Sequence, residues 1–171
     1  MKTFSLFIVI LLSLVIESTL LRLPGMTTYA PNLVIIGIVM TGILRGPTLG
    51  LVYGLLIGFV QDINFGAFLG ETAFAYAIVG YMAGYVRGLL IRESLLLSLL
   101  LTGIGTEVFL WVTFLLDYLL GQAVMNAHSM LQLSTKTTLS SMAAMIVLYF
   151  FYHRFFVKKR VISYNDDSLQ V

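Results

Sequence analysis

Six apolar runs separated by short polar breaks fill most of this chain, at about residues 4–21, 31–44, 47–61, 72–90, 94–120 and 137–156. Of 171 residues, 59% are hydrophobic and 11% charged, with a mean hydropathy of +0.98. Soluble chains carry roughly 25% charged residues. A soluble domain this small has too little interior to hide so much apolar surface. The expected class is therefore an all-α integral membrane protein with six transmembrane helices. Residues 1–157 make up the membrane domain, and 158–171 form a basic and then polar tail ending in Asp166 and Asp167.

The first run follows Met1-Lys2 as a signal sequence would, yet Glu17-Ser18-Thr19-Leu20 contains no small-x-small cleavage site. It reads as an uncleaved span. Runs two and three are joined by Arg45-Gly46-Pro47. Gly46 suits a helix C-terminus and Pro47 the first turn of the next helix, which makes the two antiparallel neighbours. At about 14–15 residues each they reach roughly 21 Å, short of a hydrocarbon core of about 30 Å. The alternative is a re-entrant hairpin, which would hold Arg45 in the membrane at a cost of roughly 2.5–3.5 kcal/mol. A polar stretch from Gly121 to Ser134 reads as a loop before the sixth run.

The basic residues set the orientation. With the N-terminus in the cytoplasm, Lys2, Arg45, Arg87, Arg92, Arg154, Lys158, Lys159 and Arg160 are inside, and only Arg22 and Lys136 are outside. That bias follows the positive-inside rule and places both termini in the cytoplasm. The outer loops carry Asp62 and Glu71 instead.

Other chemistry is sparse. There is no cysteine, which excludes disulfides, thiolate metal sites and cysteine nucleophiles. The two histidines, His128 and His153, are not spaced as a metal pair. A net charge of +2 gives no argument for nucleic-acid binding. Asp62-x-Asn64-x-Gly66 resembles part of a calcium loop but lacks the other ligands. No catalytic residue, metal or cofactor is expected.

Two patterns stand out. Gly46, Gly50, Gly54 and Gly58 recur every four residues, and Asp62 continues the spacing; Gly80, Gly84 and Gly88 form a second ladder. Residues four apart share a helix face, and a bare stripe lets another helix approach closely. The stripe serves either packing inside the bundle or docking of a partner's transmembrane helix. The second pattern is acids in or beside the membrane, where they face protein or water. Glu107 is near the middle of its run, with Thr102 and Thr106 nearby; Asp117 flanks the same outer loop as Lys136. Glu107 reads as a hydrogen-bonded structural acid, part of a proton or ligand path, or a polar contact for a partner helix.

From Pro31 to Arg87 the order of motifs resembles the bacterial rod shape-determining MreD family. Pro31-Asn32 opens a short apolar helix that ends in Leu44-Arg45-Gly46-Pro47. Gly50, Gly54, Gly58-Phe59 and Asp62 follow, then Gly66, Gly70, Gly80-Tyr81 and Gly84. Gln61 stands before Asp62 where the family often has a leucine-rich stretch. The resemblance implies a non-enzymatic cytoplasmic-membrane subunit of the cell-wall elongation machinery. Its implied partners are MreC, MreB, the peptidoglycan synthases and membrane lipids. It also implies a compact bundle similar to the substrate-binding subunits of energy-coupling-factor vitamin transporters, and such a subunit is the alternative function. An enzyme acting on a lipid-linked substrate would have only Asp62 and Glu71 as candidate acids near one surface.

The orientation is testable because the chain has no native cysteine. Cysteines introduced at Asn64 and Asn126 are expected to react with an impermeant thiol reagent in intact cells. One at Ser163 is expected not to react, and its labelling in sealed cells would reverse the topology.

Overall fold

A computed structural model describes residues 2–19, 30–66, 68–89, 95–121 and 126–156. Among these there are six helices and no strands: α1 (Lys2–Thr19), α2 (Leu33–Arg45), α3 (Pro47–Phe65), α4 (Glu71–Leu89), α5 (Leu95–Leu119) and α6 (Ala127–Phe156). The basic residues Arg22, Arg92, Lys158, Lys159 and Arg160 and the acidic tail lie outside the described residues. Among the described residues two helices, α3 and α5, are long and apolar enough to cross a membrane by length and composition.

The bundle is organised around its shortest helix. α2 has 13 residues, about 20 Å of helix. Every residue from Val34 to Ile43 is buried, and α2 packs against each of the other five helices. A helix apolar on all faces, as Leu33-Val34-Ile35-Ile36-Gly37-Ile38-Val39 is, belongs in an interior. Its surroundings are protein on every side. α1 lies against it through Leu6, Ile10 and Leu14, one stripe at four-residue spacing. The other faces of the shell helices expose large apolar side chains, including Leu12, Leu56, Phe74, Leu100 and Val147. That distribution is the reverse of a soluble surface, where such patches stay small.

Two helices extend further than their hydropathy suggests. α3 continues through Asp62 and Asn64 to Phe65 and is 19 residues long, so the segment read from Asp62 as loop begins as helix. Nothing breaks the helix before Gly66, whose N–H donates to the Asp62 carbonyl at 2.9 Å. α6 starts at Ala127, ten residues before the apolar run, and replaces most of the expected 121–134 loop. No Gly or Pro interrupts 127–136. Its hydroxyls turn back on the helix: Ser134 donates to Leu131 O and Thr135 to Gln132 O, each at 3.1 Å. Met130 and Ser134 face inward, four residues apart.

The tightest contact joins α3 to α4. A Cβ on Gly50 would strike the carbonyl of Gly80, and one on Gly80 would strike that of Gly50. One on Gly54 would come within 2.6 Å of the Tyr76 carbonyl carbon and 2.9 Å of Ala77 N. Gly58 sits on Ala73, and Gly84 on Pro47. α2 joins through Gly42, where a Cβ would lie 2.7 Å from Gly80 O. Gly46, at φ 98°, makes the turn that lets α2 and α3 meet α4 side by side; this left-handed backbone suits only a residue without Cβ.

Replacing Gly54 with Ala is expected to force α3 and α4 apart at a cost of roughly 1–3 kcal/mol, and Leu to cost more. Gly103→Ala meets only the flexible Met142 side chain, with Sδ at 3.2 Å, and is expected to do much less. Thermal melting and accumulation of the purified variants check the order. A Gly54→Leu chain as stable as the parent would contradict the seam.

Candidate functional site

Three buried polar residues, Asn32, Asp62 and Ser141, lie where helix ends meet. Asp62 stands four residues past Gly58, so the spacing that packs α3 on α4 also aims this carboxylate at the start of α4. It is 3% exposed. Its Oδ2 accepts from Gly70 N at 2.8 Å and Ala73 N at 3.2 Å, and its Oδ1 from Thr72 N at 3.1 Å and from the Thr72 hydroxyl. These are the amides that a helix start leaves without partners. The positive end of the helix dipole adds to the attraction. Gly70, at φ 105°, bends the chain so that its own N–H also points at Asp62. The single proton of the Thr72 hydroxyl is shared between Asp62 and Gly58 O, the latter 3.1 Å away, which closes the joint.

The start of α2 is held in the same way. Asn32 Oδ1 accepts from Ile35 N at 2.9 Å, and Glu17 Oε2 from Val34 N at 3.2 Å. The Asn32 amide donates to Ser141 Oγ of α6 at 2.9 Å. Beside it the Tyr76 hydroxyl donates to Gln61 Oε1 at 3.0 Å, and the Tyr76 ring stacks on Phe109 of α5 at 4.5 Å. All six helices therefore reach one junction. The space left beside Glu17 and Gln61 is about 10 Å³, which is room for no more than one water.

The expected site residues fall into three places. Gly46, Gly50, Gly54, Gly58, Gly80 and Gly84 lie along the α2–α3–α4 contact. Of Gly88, on the last turn of α4, only the helical backbone is described. Asp62 is in the junction, and Glu71 and Asp117 are beside it. Glu71 is the first residue of α4, and burial, then the charges of Asp117 and Asp62, push its carboxyl above the ordinary range. Glu107 is elsewhere, half-buried on α5, where it accepts from the Thr138 hydroxyl of α6 at 2.8 Å.

Sequence reasoning did not single out Gln61, Thr72, Tyr76, Ser141 or Thr138. Asn32 ahead of an apolar run was a legible helix start. The others carry no local signal, because their partners lie 10 to 109 residues away. Chemically, the arrangement receives amide protons on fixed acceptors. Among the described residues no group of three His, Asp or Glu could hold a metal ion.

The sequence model of one family, rod shape-determining protein MreD, matches residues 1–159 of the 171. No curated protein and no solved structure matches.

Two substitutions read the junction. Asp62→Ala leaves the amides of Gly70, Thr72 and Ala73 without their acceptor, at an expected cost of roughly 1–3 kcal/mol, and Asp62→Asn, which keeps one oxygen, loses less. Lower melting temperatures and faster amide exchange at those three residues are the readouts. Glu71→Gln acts in the opposite direction. A raised carboxyl contributes stability that is present below its ordinary value and lost as pH rises through the folded value. Parent and Glu71→Gln should therefore melt alike near about pH 4, with the variant increasingly the more stable toward about pH 8.

Proposed function

Because the chain belongs to the MreD family of rod shape-determining proteins, we propose that it is a non-enzymatic membrane subunit of the bacterial cell-wall elongation machinery. Family membership implies a role in determining rod shape. In this reading the subunit scaffolds or regulates lateral peptidoglycan synthesis together with MreC, MreB and the peptidoglycan synthases. It sits in the cytoplasmic membrane as six spans, with both termini inside and the α3–α4 turn outside. Its bundle is of the kind seen in substrate-binding subunits of energy-coupling-factor transporters.

One observation carries the scaffold reading over catalysis or transport: the polar groups at the junction are occupied in joining the chain to itself. Asp62 is held by four donors, and Asn32 and Glu17 close the start of α2. An acid so engaged has no free oxygen to serve as a general base on a lipid-linked substrate. A vitamin-binding subunit would need a pocket of about 300 Å³ or more in which several polar groups converge; the space at the junction is about 10 Å³, and the open cleft of about 360 Å³ beside it is walled by Phe and Leu side chains with Glu71 as its charged lining residue. What remains for partners is the outer faces of the helices. The glycine seam is taken up between α2, α3 and α4, so MreC's transmembrane helix docks on another face. Glu107, bonded to Thr138 and half-buried on α5, offers such a helix a polar contact within the membrane.

Depleting the protein is expected to turn rod-shaped cells round or make them swell and lyse. Affinity purification from membranes is expected to recover MreC and wall synthases. Recovery of ATPase subunits, with shape unchanged and uptake of a vitamin lost, would replace this reading with the transporter.

A further inference from the structure

A cleft of about 360 Å³ opens between the start of α4 and the end of α5. Phe68, Leu69, Phe74, Leu116 and Leu120 make its walls, and Glu71 is the charged side chain among its lining residues. Leu69 is 71% exposed and Phe74 54%, so the walls are open to the surroundings of the bundle. The cleft lies where α3 ends, α4 begins and α5 runs out. In the six-span reading proposed above, on which this inference rests, that is the outer boundary between hydrocarbon and headgroups.

Size and charge select the occupant. A helix with its side chains is about 10–12 Å across and does not fit such a space, whereas a single hydrocarbon chain does. The Glu71 carboxylate on the cleft wall decides which headgroup can accompany that chain. Asp62 is engaged by the amides of α4, but Glu71 remains at the cleft with Asp117 close enough for its charge to act on it. A phosphatidylglycerol, a cardiolipin or a polyprenyl diphosphate would bring a net negative headgroup against these acids. An ammonium headgroup would instead meet them as counter-ions. We infer that the cleft between α4 and α5 holds one acyl chain of an outer-leaflet, ammonium-headed phospholipid, with Glu71 and Asp117 facing the ammonium group. The protein thereby selects one lipid class at the corner where α4 and α5 part.

The test uses the full-length purified protein in mild detergent, titrated with phosphatidylethanolamine or phosphatidylglycerol of matched chains. Native mass spectrometry reads retained lipid, and melting temperature reads stabilisation. One favourable charge contact of the surface kind corresponds to an expected preference of about five-fold for phosphatidylethanolamine. Glu71→Gln combined with Asp117→Asn should bring that ratio to about one while leaving the chain folded. Leu120→Trp, at a 49% exposed position, should fill the cleft and remove retention of both lipids. Equal binding by the parent, preference for phosphatidylglycerol, or retention unaffected by Leu120→Trp would each overturn the assignment. So would a Leu120→Trp chain that sheds a co-purifying protein while the parent retains no lipid, since a protein side chain then occupies the cleft. The readings on which this rests fail separately. A cysteine at Asn64, outside the cleft, that resists impermeant reagent overturns the topology, and cell shape restored by a chain without lipid preference leaves the elongation role standing.

Discussion

A helix that starts inside a bundle brings bare amides with it, and water is not there to receive them. This constraint governs the structure. α2 begins at a buried Asn32, and α4 begins against a buried Asp62. Each start is closed by an acid from the preceding helix: Glu17 of α1 reaches α2, where Asn32 also caps locally, and Asp62 of α3 reaches α4. Capping here is thus a tertiary interaction, and removing one acid loosens the joint between two helices as well as one helix end.

The glycine ladders and the caps are parts of one device. Backbones as close as those of Gly50 and Gly80 bring the end of α3 within reach of the start of α4. Only then can the short side chain of Asp62 span the gap to Gly70, Thr72 and Ala73. In return, the capped end fixes the sliding register of two smooth helices that would otherwise have little to lock them. Packing supplies proximity, and hydrogen bonding supplies registry. Neither is sufficient by itself, because bare glycine faces lack interlocking side chains and a carboxylate in hydrocarbon is costly without its donors.

The helical class and the apolar runs were legible because apolar length is a local property. So was the shared face of Gly50, Gly54, Gly58 and Asp62, since a four-residue spacing states it directly; Gly46, at the same spacing, is instead the turn ahead of α3. What those faces touch was not legible. Each ladder specifies a smooth surface without naming its mate, and Gly42, four residues before Gly46 but on α2, touches both. The early start of α6 was hidden by composition: Gln132 and Ser134 fall in the stretch read as loop, yet the Ser134 hydroxyl donates to a carbonyl of its own helix. The central position of α2 was hidden by its length. A run of this kind reads equally as a short span, and only its neighbours show that it lies among them.

The bond from the Asn32 amide to Ser141 also carries a clock. The two residues are 109 positions apart. At about 5–20 residues per second of synthesis, the acceptor emerges on the order of 5–20 s after its donor. Through that interval the innermost helix is already in place while part of its shell has yet to be made. Its open side must be attended by lipid, water or the insertion machinery until α5 and α6 arrive. A ribosome that stalls after α4 therefore leaves a chain whose centre is still exposed, which a membrane protease can distinguish from the finished bundle.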